Sequence, residues 1–93
     1  MKMKRSYTRF KADAGTLALI DIKKGEKFHP ELVGLVFEEA YKGCGIIVLA
    51  AEELQIGQII KVAVGKLKAL KAEVCWRIQL DSNVIKIGIK YLE

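Results

Sequence analysis

The chain has 93 residues, of which 52% are hydrophobic and 29% are charged. This length allows one small domain and excludes a multidomain enzyme, and the apolar fraction is too high for a disordered chain. The longest wholly apolar run, residues 46–51, is far shorter than the roughly 20 residues that span a bilayer, so membrane insertion is not expected. The two cysteines are too few for a disulfide framework or a paired zinc site, which predicts a cytoplasmic protein without a metal.

The positive charge is concentrated at the N-terminus. Residues 1–11 contain five basic side chains and no acid, whereas basic and acidic residues balance over the rest of the chain, so the net charge of +5 belongs to this segment. A basic arm on a neutral body suggests contact with an anion, and a solubilising tail is the alternative. We therefore divide the chain into a flexible basic arm or loop over residues 1–15 and one domain over residues 16–93.

Short apolar runs separated by turn signals predict the first four strands. Residues 16–22 are β-branched and apolar, and the polar turn that follows contains Gly25. Pro30 disfavours a helix before the second strand, over residues 33–38. Gly43 and Gly45 mark a tight turn or bulge before a buried third strand over 45–50. Residues 51–55 are compatible with one helical turn, and residues 58–64 form a fourth strand with alternate side chains on one face.

The second half of the chain predicts an antiparallel hairpin. Residues 66–73 are rich in helix formers, but residues 74–80 and 85–91 alternate between apolar and polar side chains with period 2. In this register Trp76 belongs to the core. A three-residue turn at 81–83 joins the two runs, and we extend the strand back through Ala72. Six strands with a turn about every 10 residues predict an all-β fold, a small six-stranded antiparallel barrel.

The residues that commonly carry catalysis are sparse, so no enzyme is expected. His29 lies beside Pro30 in a predicted loop, and the sequence contains no nucleophile elbow and no phosphate-binding loop. The adjacent acids at 38–39 and 52–53 would point to opposite faces of a strand. Cys44, between two glycines and beside an apolar run, is typical of a small buried thiol.

The arm carries arginines at a spacing that suits a phosphorylated ligand. Arg5 and Arg9 are separated by three residues. A guanidinium group binds a phosphate through two parallel hydrogen bonds, stacks on aromatic bases and pairs with the Hoogsteen edge of guanine. Two such arginines on an arm that curls over its ligand would suit a compact molecule that offers phosphates and guanines together.

The order of these features resembles the PilZ family, bacterial receptors for the second messenger cyclic di-GMP. The family's N-terminal Arg-x-x-x-Arg motif is matched by Arg5 and Arg9, with Lys4 where many members have a further arginine. Its second motif, Asp/Asn-x-Ser-x-x-Gly at the end of a strand, corresponds to residues 38–43, where Gly43 matches. The resemblance covers residues 4–92 and implies a PilZ-like barrel and a set of ligand-binding residues: Lys4, Arg5, Arg9, Glu38, Ala40 and Gly43.

Two departures from the family pattern leave alternatives open. Glu38 replaces the Asp and Ala40 replaces the Ser of the second motif, and the chain stops at Glu93, so the family's C-terminal helix is not expected. The first hypothesis is a single-domain cyclic di-GMP receptor that signals to a protein partner and needs no cofactor. The second is a degenerate PilZ interaction module that binds no nucleotide. The third, a basic-arm barrel that binds nucleic acid, is disfavoured because the body is neutral.

Overall fold

Seven β-strands form the regular structure of the described residues. The computed structural model describes residues 9–11, 15–23, 25–49 and 54–92, and within these ranges it contains no helix. The strands are β1 (Arg9–Lys11), β2 (Leu17–Asp21), β3 (Leu32–Ala40), β4 (Gly43–Leu49), β5 (Ile59–Val64), β6 (Leu70–Asp81) and β7 (Val84–Tyr91). No helix in these ranges could therefore cross a membrane.

Strands β2 to β7 close into a six-stranded antiparallel barrel, which confirms the predicted fold. Around the barrel the order is β2, β3, β4, β7, β6 and β5, and β5 pairs again with β2. β4 occupies one edge of β3 along most of its length, while β2 pairs with the first half of the other edge. The last three residues of β3 extend beyond β2, and β1 pairs with them there. Closure leaves few unpaired backbone groups at strand edges.

Strand β1 differs from the sequence-based expectation. Residues 1–15 were expected to form an arm or loop, but residues 9–11 form an antiparallel strand against residues 38–40. The physical reason is the free edge at the end of β3, whose backbone N–H and C=O groups need partners. The expected behaviour of residues 1–8 and 12–14 lies outside the described residues.

The core follows from the alternation of β-branched side chains. On β5 and β7 every second side chain points into the barrel, as the period-2 pattern predicts. Leu54, in the segment before β5, is also fully buried, and its carbonyl accepts a hydrogen bond of 2.7 Å from Arg77 Nε. The largest fully buried apolar side chains are Ile20, Ile46, Leu54, Ile60, Ile85, Ile87, Val48, Val62 and Val74.

A bulge in β6 makes one sequence-based assignment wrong. Val74 pairs with Ile89, but Trp76 pairs with the next residue of β7, Gly88, so Cys75 is an extra residue in β6. One extra residue exchanges the two faces of a strand. Val74 is therefore buried, whereas Trp76 lies on the outside of the barrel and is half-buried. The prediction that Trp76 belongs to the core is incorrect.

The extension of β6 back through Ala72 is confirmed, whereas residues 66–69 precede the strand. β6 begins at Leu70 and pairs with β5 through residues 70–73, so cross-strand pairing outweighs the helical preference of the sequence. The possible helical turn at 51–55 is not seen at Leu54 and Gln55, and its other residues lie outside the described ranges.

Candidate functional site

The sequence-predicted residues that the structure describes meet where β1, β3, β4, β7 and β6 run side by side. Here the cross-strand register forms two rows of Cα partners on five strands, with one further row between them that includes the buried Cys44 and Ile89. We name the first the arginine row, and it runs Arg9, Ala40, Gly43, Lys90 and Glu73. We name the second the tryptophan row, and it runs Lys11, Glu38, Gly45, Gly88 and Trp76. Four of the six predicted site residues lie in these rows.

The register brings the two sequence motifs together. Arg9 of the first motif is the Cα partner of Ala40, a position of the second motif, and Lys11 is the partner of Glu38. Directly opposed Cα atoms of antiparallel strands lie about 4.5–5.5 Å apart. Segments that are far apart in the sequence therefore become neighbours at one end of the barrel. Lys4 and Arg5 lie outside the described residues.

Gly43 has a structural reason to be glycine. A Cβ atom at this position would meet the backbone of β7, with the carbonyl carbon of Ile89 at 3.0 Å and the Cα of Lys90 at 3.2 Å. Backbone atoms cannot move aside as the end of a flexible side chain can. The match of Gly43 to the second motif is therefore explained by the packing of β4 against β7, with or without a ligand.

Two aromatic rings cover the outer side of the tryptophan row. Phe37 lies over Gly45, and the indole of Trp76 lies over Gly88. Phe37 is the extra residue of a bulge in β3, between Val36 and Glu38. Because Gly45 and Gly88 are themselves Cα partners, the two rings, which belong to β3 and β6, lie over the neighbouring strands β4 and β7. A side chain at either glycine would displace a ring. The result is an aromatic surface beside the half-buried carboxylate of Glu38.

A neutral thiol lies behind this surface. Cys44 is buried, and its Sγ accepts a hydrogen bond of 3.8 Å from the hydroxyl of Tyr91. Burial raises the pKa of Cys44 to about 11, and the nearby carboxylate of Glu39 acts in the same direction. Burial also raises the pKa of Tyr91. Both groups are protonated at neutral pH, so Cys44 is a poor nucleophile and a poor metal ligand. This confirms the interpretation of Cys44 as a buried thiol.

A cluster of charged side chains lies at the opposite end of β3, away from the two rows, and fixes the β2–β3 loop. The buried carboxylate of Asp21 accepts hydrogen bonds from the backbone N–H groups of Lys23, at 2.8 Å, and His29, at 2.6 Å. Lys61 Nζ lies 3.4 Å from Asp21 Oδ2 and donates to the carbonyls of Gly25 and Lys27. All the N–H donors of Lys61 Nζ are thus engaged. The cluster therefore stabilises the β2–β3 loop.

An adjacent pocket of about 260 Å³ contains no predicted site residue. It is lined by Lys23, Gly25, Ile59, Ile60, Lys61 and Lys71. Lys23 forms a salt bridge of 2.9 Å with Glu31, and Lys61 is occupied by Asp21 and the loop. Among the described residues, no group of three or more His, Cys, Asp or Glu side chains is arranged to hold a metal ion.

Comparison with models of protein families, with curated proteins and with solved structures found no match to this chain.

Sequence reasoning did not assign six members of the rows to the site: Lys11, Gly45, Glu73, Trp76, Gly88 and Lys90. Gly88 and Lys90 were treated only as parts of a regular strand, and Trp76 was assigned to the core. No local pattern marks them, because they reach the site only through the register of β6, β7 and β4. The bulge at Cys75 that turns Trp76 outward has no sequence signal of its own.

Proposed function

We propose that this chain binds cyclic di-GMP at the arginine and tryptophan rows. The observation that carries the proposal is the register of β1 on β3, which sets Arg9 opposite Ala40 and Lys11 opposite Glu38. The two segments that resemble ligand-binding motifs are thereby neighbours.

The chemistry of the rows suits a ligand with two phosphates and two guanines. Arginine and lysine bind phosphate oxygens, and arginine also pairs with the guanine O6 and N7 atoms. The carboxylate of Glu38 is an acceptor for the N–H groups of a guanine edge. Purine bases stack on aromatic side chains, and the half-buried ring of Trp76 offers such a surface in the tryptophan row. The ring of Phe37 already carries the ammonium group of Lys86, 4.7 Å from its centroid.

In this proposal the chain is a cytoplasmic receptor that signals to a protein partner. Bound nucleotide would link the N-terminal segment, which includes Lys4 and Arg5, to the barrel surface at β3 and β4. Such a rearrangement of one segment by ligand contacts is a common form of switch, because it creates a surface that a partner can recognise.

Isothermal titration calorimetry with cyclic di-GMP tests the proposal. Arg9→Ala should weaken binding by about 1.5–3 kcal/mol, the range for hydrogen bonds to charged groups, or roughly 10- to 150-fold in Kd. Arg5→Ala should have a similar effect. The matched control is Lys27→Ala, which also removes one positive charge, from an exposed side chain in the loop at the other end of β3. This variant should bind like the parent.

Two results would reject the hypothesis that this chain is a cyclic di-GMP receptor. One is the absence of any binding heat with the parent chain up to millimolar nucleotide. The other is an equal affinity for the parent, Arg9→Ala and Lys27→Ala. Equal weakening by Arg9→Ala and Lys27→Ala would show only a general charge effect and would contradict a defined site.

One observation favours a second candidate, an interaction module that binds no nucleotide. Gly43, the one matching residue of the second motif, is required by packing against β7. The positions at which the family pattern places the ligand-binding Asp and Ser carry Glu38 and Ala40. If the chain does not bind cyclic di-GMP, the interaction module becomes the preferred function.

A further inference from the structure

A pocket of about 260 Å³ lies between the β2–β3 loop and the outer side of strands β5 and β6. The residues that line it are Lys23, Gly25, Ile59, Ile60, Lys61 and Lys71. Of these six described residues, three are lysines and none is acidic. Pockets that bind drug-sized molecules have volumes of about 300–1,000 Å³, so this pocket suits a smaller organic molecule.

Lys61 holds the pocket open. Its side chain is only 14% exposed, and Nζ donates hydrogen bonds to the carbonyl oxygens of Gly25, at 2.8 Å, and Lys27, at 2.7 Å. These bonds fix the loop relative to β5. A Cβ atom at Gly25 would meet nothing within 4 Å, so the space beside this part of the loop is open. A ligand would therefore enter a preformed pocket, without the entropic cost of ordering the loop.

Two lysines occupy directly opposed positions on the strands of the pocket. Lys61 of β5 and Lys71 of β6 are Cα partners, and both line the pocket. Like charges at such positions destabilise an antiparallel sheet. Asp21 offsets the charge of Lys61 from the other side, since it is the Cα partner of Lys61 on β2 and its Oδ2 lies 3.4 Å from Lys61 Nζ. An anion in the pocket would reduce the repulsion between the two ammonium groups.

The remaining walls favour an anion with an apolar body. Lys23 Nζ lies 2.9 Å from Glu31, but the side chain of Lys23 is 69% exposed, and exposed ion pairs contribute little to stability. The ammonium group of Lys23 can therefore turn towards a ligand at little cost. Ile59 is 51% exposed and provides an apolar surface in the same pocket.

We propose that this pocket binds a small organic carboxylate. The carboxylate accepts hydrogen bonds from the ammonium groups of Lys23 and Lys71, and the apolar body of the ligand covers Ile59. Lys61 contributes its charge and no hydrogen bond, because its donors are engaged. No residue of the arginine row or the tryptophan row lines the pocket, so the proposal does not rest on cyclic di-GMP binding.

The charge around the pocket favours a monoanion. Its three lysines are accompanied by two acids, Asp21 beside Lys61 and Glu31 beside Lys23. One positive charge remains, which a carboxylate neutralises. A phosphate monoester, which carries a charge of about −1.5 to −2 at neutral pH, would exceed it.

Titration of the full chain with benzoate, followed in two-dimensional amide NMR spectra, tests the proposal. The amide signals of Gly25, Ile60 and Lys71 should shift and saturate, with a Kd on the order of 1–10 mM, as expected for so small a ligand. Benzamide has the same shape without the charge, and acetate has the charge without the apolar body. Each should bind roughly fivefold or more weakly than benzoate, at one salt concentration throughout.

Variants assign the binding to this pocket. Lys71→Gln should raise the Kd for benzoate roughly fivefold or more. The matched control is Lys68→Gln, which also removes one positive charge, from an exposed side chain between β5 and β6 that does not line the pocket. It should bind like the parent. Ile59→Thr keeps a β-branched residue in the strand and should also weaken binding, so it replaces Lys71→Gln if the spectra show that variant to be unfolded.

Three results would overturn the proposal. The first is the absence of saturable shifts at the pocket amides of the parent up to about 100 mM benzoate, well above the Kd expected for this ligand. The second is binding of benzamide as tight as that of benzoate, which would exclude a role for the lysines. The third is equal weakening by Lys71→Gln and Lys68→Gln, which would show only a general charge effect.

Discussion

Trp76 lies over the backbone of Gly88, its cross-strand partner. The position of the indole ring requires a glycine at position 88, and the ring covers that glycine. A Cβ atom at position 88 would fall within the space of the indole ring. The glycine leaves the ring a place on the outside of the sheet, and the ring shields the backbone that glycine exposes. Aromatic coverage of a strand glycine is a recurrent device that stabilises β-sheets.

Substitution of Gly88 by alanine should therefore destabilise the barrel. The added methyl group must displace Trp76, and overpacking of this kind typically costs about 1–3 kcal/mol. Urea unfolding followed by far-UV circular dichroism, which needs no tryptophan, measures the change in free energy of unfolding. The control is the same substitution in a Trp76→Ala background. There Gly88→Ala should be neutral or stabilising, because alanine in a strand interior is favoured over glycine by about 0.5–1 kcal/mol. An equal cost in both backgrounds would contradict the contact.

The buried carboxylate of Asp21 should make stability depend on acid pH. The hydrogen bond from the His29 N–H lowers the pKa of Asp21 below its usual 3.8, with further lowering by Lys23 and Lys61 that outweighs desolvation. Since the pKa is depressed in the folded state, this contribution to stability is complete above about pH 5, and it declines as the pH falls through 3.8 towards the folded value.

Asp21→Asn should remove this part of the acid dependence. Thermal unfolding of the parent and the variant between pH 2 and pH 7, in ~0.1 M salt throughout, measures the difference. The variant should be less stable at neutral pH, because an amide cannot replace the charge next to Lys61. The two curves should approach each other at low pH. Parallel curves over the whole range would show that Asp21 does not titrate with folding.

Much of the fold could be predicted because buried strands show their alternation in the sequence. The alternating isoleucines of β7 and the apolar positions of β5 are inside the barrel as expected. The failures have two physical causes. A bulge such as that at Cys75 adds one residue and reverses the faces that follow, so Trp76 could not be assigned from period alone. The strand at residues 9–11 has no alternation, and only the free edge of β3 explains it.

The motif residues of the candidate site could be predicted from the sequence, but the residues that surround them could not. Glu38, Ala40 and Gly43 adjoin in sequence, so their common location follows from any hairpin there. Gly88 and Trp76 reach the same rows only through closure of the barrel by the pairing of β4 with β7. Likewise Asp21 is one polar residue at the end of a strand in the sequence, and only the loop that folds over it makes it a buried acid.

The two cysteines should differ sharply in reactivity. Cys75 is the exposed bulge residue of β6, whereas Cys44 is buried and its pKa is raised to about 11. Because the thiolate is the reactive form, a maleimide reagent at neutral pH should label one site on the folded chain and two after unfolding in urea. Cys75→Ser should abolish labelling of the folded protein. Labelling of folded Cys75→Ser at the parent's rate would show that Cys44 is accessible.

Restoring the second motif should strengthen nucleotide binding. In the proposed site the methyl group of Ala40 leaves one polar group of cyclic di-GMP without a side-chain partner, and Glu38 is one methylene longer than the residue in the family pattern. A neutral hydrogen bond contributes about 0.5–1.5 kcal/mol, so Glu38→Asp with Ala40→Ser should lower the Kd roughly 2- to 13-fold. Ala40 is half-buried at the end of β3, where a hydroxyl adds little volume.

Calorimetry of the parent and the double variant, in one buffer at one salt concentration, measures the gain. The single variant Glu38→Asp is the control for the acid alone, and Ala40→Ser should account for most of the improvement because it supplies the missing hydroxyl. A double variant that binds more weakly than a parent that does bind would mean that Ala40 does not face the ligand, and would move the site away from the end of β3. Binding by neither protein would remove the receptor hypothesis and leave the interaction module.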